Sequence, residues 1–239
     1  MRFGFPLGFL LLLALGCGDD DMSFPDAGPS EDAASDTSAD VVADAPADVQ
    51  PDAPADRLTE IETTMPDEDP IGGFAECTVT TALHMTGRAG HITPCEPLTY
   101  SLSTPASGDH YSRWADFRRY EEPVPQGFLV HAMEHGAIVF QIGCGDDCGT
   151  LLETIDALIA AHGDDEACAS NDVSARFIVV PNPDLSEGAF AMTAWEHVYL
   201  GTCVHEESMA AFIEDHYAQG PEDVCARGFD GEGRGGWCE

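Results

Sequence analysis

GFLVHAMEHGAIVFQI (residues 127–142), followed after a short cysteine-bearing loop by TLLETIDALIAAHG (residues 150–163), is the stretch that decides the fold. Gly127–Val130 and Ala137–Ile142 are short apolar runs of β-prone residues, the second ended by Gly143, and they read as two strands flanking a His-rich segment. Thr150 and Glu153 have capping-box spacing, and Leu151, Leu152, Ile155, Leu158 and Ile159 recur on one helical face until His162-Gly163, so a helix is expected there. Further on, Phe177–Val180 reads as a buried strand stopped by Pro181, and Ala189–Trp195 as another that runs on toward Tyr199. Met209, Phe212, Ile213 and Tyr217 follow Glu206 and Glu207 at helical spacing, which predicts a second helix to about Ala218, closed by Gly220-Pro221. Residues 71–127 are rich in Gly, Pro, Ser and Thr and read as irregular. The order strand, strand, helix, strand, strand, helix predicts an α+β domain: a small mixed or antiparallel sheet with two helices packed on one face, stapled by disulfides.

The chain before this domain has another character. Arg2 precedes an apolar run, Phe3–Leu15, that is too short to cross a bilayer as a helix, which takes about 20 residues. It ends in Leu-Ala-Leu-Gly-Cys17, which resembles the site at which bacterial lipoproteins are cleaved and acylated on the new N-terminal cysteine. The resemblance implies a signal peptide over residues 1–16, lipidation of Cys17 and a lipid-anchored life in the bacterial cell envelope, at the outer membrane. Residues 17–70 read as a disordered acidic tether: residues 18–70 hold 17 acidic residues against Arg57 alone, with too little apolar surface to fold. Asp32, Asp36, Asp40, Asp44, Asp48, Asp52 and Asp56 recur every fourth residue, which would stack like charges on a helix, and Pro46, Pro51 and Pro54 forbid a continuous one. Residues 71–239 form the globular part. The formal charge of −35, with arginine as the only strong base, argues against nucleic acid as a partner and makes cations natural ones. Nothing in the sequence names a protein partner.

With Cys17 assigned to lipid, Cys77, Cys95, Cys144, Cys148, Cys168, Cys203, Cys225 and Cys238 remain. An even set confined to the globular part of an exported protein reads as a framework of up to four disulfides, whose pairing the sequence leaves open. The rival reading is a Cys144-x-x-x-Cys148 thiolate site, which resembles the copper site of thioredoxin-like copper chaperones, although Gly149 stands where that family carries proline.

The densest set of ligand-capable groups is His131-x-x-Glu134-His135. On a helix, positions i and i+4 put both imidazoles on one face within reach of one metal, and H-x-x-E-H then matches the inverted zinc-peptidase motif. The β-prone flanks and Gly136 favour a strand, which would instead put His131, Met133 and His135 on one face, with Glu134 opposite. Ser107-Gly108-Asp109-His110-Tyr111, Trp114, Tyr120, the His131–Gly136 block, Ala194-Trp195 and Pro221-Glu222 together resemble the bacterial domain of unknown function numbered 3105. The pattern departs at Asp109, where proline is expected, and at Glu196, where glycine is expected. The resemblance brings no activity, but it places the motif in a small envelope domain and links His110 to it.

The reading for function is therefore a non-catalytic cell-envelope lipoprotein that binds copper or zinc through His110, His131, Glu134 and His135, with Met133 or Met192 as a soft candidate. One alternative is a zinc-dependent hydrolase with Glu206 or Glu207 as third ligand, and the sequence does not decide whether the protein is an enzyme. The other is a binding or scaffold module whose histidines are structural. His84, His91, His162, His197, His205 and His216 read as structural or surface residues, and Trp114 and Trp195 as core anchors.

Overall fold

The structure, a computed structural model, describes residues 56–143 and 148–238. The signal segment, Cys17 and nearly all of the acidic stretch lie outside the described residues, as does Cys144. The elements in chain order are β1 (Arg57–Thr64), β2 (Val79–Met85), β3 (His91–Ile92), β4 (His110–Tyr111), α1 (Gln126–Glu134), β5 (Ile138–Ile142), α2 (Gly149–His162), a 3-10 turn (Glu166–Asn171), β6 (Phe177–Pro181), β7 (Phe190–Ala194), β8 (His197–Gly201) and α3 (Glu206–His216).

Six strands form one sheet in the order β1-β2-β8-β7-β5-β6, while β3 and β4 pair separately as a short parallel ladder. Only β5 and β6 are parallel within the large sheet, and α2 is the crossover that such a pair needs. This is the mixed α+β sheet expected from the sequence. Strand alternation then sorts the core into two. Ile138, Phe140 and Ile142 of β5, with Phe190 and Met192 of β7, pack beneath Leu151, Ile155 and Leu158 of α2 and Met209, Phe212 and Ile213 of α3. Val139, Ile178, Val180 and Val198 point the other way and pack against α1.

Four local expectations are corrected. Gly127–Val130 is not a strand but the first half of α1, entered through Pro125. Phe128, Leu129, Val130, Ala132 and Met133 are all fully buried, so this helix is enclosed on every side and carries no simple amphipathic stripe to reveal it. Ala189–Tyr199 is not one strand: β7 and β8 are a hairpin turned at Trp195-Glu196, where Glu196 holds φ +64°. That left-handed backbone is the physical reason for glycine being expected at this position. The capping box at Thr150 is not used, because α2 begins at Gly149 after Cys148, with no side-chain cap. Finally, residues 71–127 are not wholly irregular, since β2 lies inside the sheet, and β1, inside the stretch expected to be tether, pairs with it along the edge.

The cysteines pair as Cys77–Cys203, Cys95–Cys238 and Cys168–Cys225, and Cys148 is also disulfide-bonded. A thiolate site at Cys144 and Cys148 is therefore lost to oxidation at its described member. The bridges span 126, 143 and 57 residues, and constraints on loops that long remove much of the freedom of the unfolded chain.

Candidate metal centre

Helix α1 ends where the ligand motif begins to act. Gly136 (φ +84°) donates to the Met133 carbonyl and Ala137 to the Ala132 carbonyl, the paired bonds of a Schellman turn, so Gly136 terminates the helix just past its motif. His131 and Glu134 thus stand on the last helical turn and His135 is its C-cap. The buried Arg176 donates to the His135 carbonyl at 3.0 Å, a cation at the negative end of the helix. At the other end Gln126 donates to the Gln141 side chain of β5, which also accepts from Asn182, and these bonds fix the helix on the sheet. The segment after α3 folds over the same turn: Ala218 N–H donates to the Gly136 carbonyl and Glu222 N–H to that of Glu134. Gly220 passes so close that a Cβ there would lie 2.2 Å from the Glu134 carbonyl oxygen, which admits no other residue.

The remaining imidazoles come from the parallel β3–β4 pair, in which His91 stands directly opposite His110. Glu134 is the hub. Its Oε2 lies 3.0 Å from His110 Nε2, 3.2 Å from His91 Nε2 and 3.8 Å from His131 Nε2. His131 Nε2 is in turn 3.2 Å from His135 Nε2, which lies 3.2 Å from a carboxylate oxygen of Glu222. Around a cation with bonds of 2.0–2.1 Å, tetrahedral donors stand about 3.3 Å apart, so this group could hold a metal ion, and its shorter separations are also those of hydrogen bonds.

The opposite ring nitrogens show which way the imidazoles are set. His110 Nδ1 donates to the Gly108 carbonyl at 2.8 Å and His131 Nδ1 to the Tyr111 carbonyl at 2.6 Å. In the neutral ring this places the proton on Nδ1 and leaves the Nε2 lone pair facing Glu134, the orienting contact typical of metal-binding histidines. His135 differs: its Nδ1 is buried without a hydrogen-bond partner among the described residues, and its ring lies against Trp114, centroids 4.4 Å apart. Burial pushes the His131 pKa down to about 4, against the pull of the Tyr111 carbonyl and with help from His135, His110 and His91. Burial also lowers that of His135, against the attraction of Glu222 and Glu134. Burial thus favours the neutral form of both rings.

The structure therefore brings together His110, His131 and Glu134 with His135 at their side, as the sequence suggested, and adds two groups that sequence reasoning missed. His91, read as structural or surface, is a corner of the cluster, and Glu222 is the acidic neighbour of His135. A two-residue strand has no periodicity by which to find His91. Glu222 was visible in the Pro221-Glu222 pair, without a sign that it would reach the histidines. Met133 and Met192 are fully buried, Met192 in the core beneath α2 and α3 and Met133 in the core around α1. Glu206 and Glu207 begin α3, which packs on the opposite face of the sheet from α1, so neither completes a zinc-peptidase site. His84 is structural as expected, its Nδ1 accepting from Ala106 N–H while Nε2 donates to Asp56. His205 caps α3, and His197 stacks on His216. Trp114 and Trp195 pack on the α1-side core and also wall the cluster, Trp114 against His131 and His135, Trp195 against His110.

The family model described as Protein of unknown function (DUF3105) matches residues 91–227, more than half of the chain. The chain belongs to this family. The DUF3105 segment opens at His91 and includes Glu222, so all six residues of the cluster fall inside it, whereas β1 and β2 precede it. No curated protein and no solved structure matches the chain.

Proposed function

We propose that the protein is a non-catalytic metal-binding lipoprotein of the bacterial cell envelope, anchored through Cys17, which holds a zinc or copper ion on His91, His110, His131 and Glu134 with His135 adjacent. One observation carries this reading: three Nε2 atoms and a carboxylate oxygen converge within 4.8 Å of one another, while two of the rings have their Nδ1 protons engaged by backbone carbonyls. Lone pairs set against a carboxylate repel unless a proton or a metal ion lies between them, and a metal ion can join all of these atoms at once. An imidazole and carboxylate set without thioether suits zinc or Cu(II) better than Cu(I).

The test is elemental analysis of the purified full chain, in detergent, after loading with zinc or copper and desalting. Wild type is expected to retain metal, and His131→Ala/His135→Ala to lose it. Equal retention by the two would remove the idea and leave the histidines as a structural cluster in a scaffold module.

A further inference from the structure

The six donors exceed what one ion takes. Zinc is satisfied by four protein donors, and His91, His110, His131 and Glu134 supply four. His135 and Glu222 remain, and they form a second set with Glu134, again with all donor atoms within 4.8 Å of one another. Glu134 is common to both sets, and a carboxylate has two oxygens to offer.

We propose that the cluster is a two-cation centre bridged by the Glu134 carboxylate, with one ion on His91, His110 and His131 and the second on His135 and Glu222. The inference rests on the metal-binding reading above and extends it. The two sets are contiguous: His131 Nε2 and His135 Nε2, one from each, are 3.2 Å apart, a spacing that suits ions about 3.5–4 Å from each other, as in two-metal sites. The halves differ in donor number. Each has one exposed side chain, His91 at 47% in the first and Glu222 at 49% in the second, while His110, His131 and His135 are buried. The first ion is closed in by four donors. The second has three and keeps an open position toward solvent. Imidazole ligands contribute no formal charge and two carboxylate ligands contribute −2, so two divalent ions would leave the centre at +2. The ligand that fits the open position is therefore hydroxide or an oxyanion.

The experiment loads the full chain, in detergent, with zinc and passes it through a weak competing chelator to strip ions held by the acidic segment. Wild type should keep two zinc ions per chain and Glu222→Gln one. Glutamine preserves the shape of the side chain and leaves the backbone bond from residue 222 to the Glu134 carbonyl intact. With Cu(II) in place of zinc, electron paramagnetic resonance should show a dipolar-coupled pair in wild type and isolated copper in the variant. One ion in both proteins overturns the two-cation centre and leaves the single-ion reading standing. Two ions in both overturns the assignment of Glu222. None in wild type overturns the metal reading itself, and this inference with it.

Discussion

Beneath α2 and α3 the sheet presents Ile138, Phe140, Ile142, Phe190 and Met192 to apolar helical stripes, whereas on the α1 side the same strands bury Gln141 and Thr193. Around α1 itself lie the buried His110, His131, His135 and Asn182. Both faces are closed to water, so burial does not separate them. What separates them is whether buried groups need partners of fixed geometry. On the first face any well-packed hydrocarbon suffices; on the second each polar atom requires a donor, an acceptor or a cation.

The contrast breaks most visibly through Phe140. Phe140→Ala, at a fully buried site, should cost about 3–5 kcal/mol in urea unfolding. Metal retention per folded chain should not change, and loss of metal in the folded variant would mean that the two faces are not independent. The second effect belongs to the other face. At zinc concentrations 100-fold above Kd, the wild-type chain should gain about 2.7 kcal/mol, read as a rise in Tm that chelator reverses and that His131→Ala lacks. A Tm indifferent to both zinc and chelator would turn the cluster into pure scaffolding.

Acid sharpens the comparison on the α3 side. Burial pushes the His216 pKa down to about 4, helped by the stacked His197 and opposed by Asp215. The unfolded chain, whose histidine titrates near 6.5, takes up its proton first as pH falls. The stability tied to His216 is thus full above about 6.5 and drains away toward pH 4. His216→Gln should flatten the fall in urea midpoint between pH 6.5 and 4 relative to wild type, and an unaltered slope would contradict this. The smallest effect is at the β7–β8 turn. Glu196→Gly should stabilise by up to about 1 kcal/mol, because φ +64° penalises any residue with a Cβ, and a loss of stability would show that Glu196 makes up for its backbone.

The same division explains what the sequence made legible. β5, α2, β6 and α3 were readable because one of their faces is apolar and the other is not, or because a continuous apolar run met a clear stop such as Gly143 or Pro181. α1 was misread because it is buried all round, and Phe128-Leu-Val then looks like strand. β1 escaped notice because its residues are mostly exposed and the bulge between Thr59 and Glu62 breaks its alternation. Of the site, the part on one helical turn was legible from i to i+4 spacing, and His110 through the family resemblance. His91 and Glu222 enter through contacts 43 and 87 residues away in the chain from Glu134 and His135, and local pattern does not encode those.

The β3–β4 ladder has a consequence of its own. Only two residues on each strand pair, yet that pairing alone sets His91 beside His110. A slip of a single position would bring Ile92 or Gly90 opposite His110, turning an aliphatic side chain or none at all toward the carboxylate hub. The excursion between the two strands can thus vary where it leaves Cys95, Ala106 and Gly108 in place and delivers the chain back in phase.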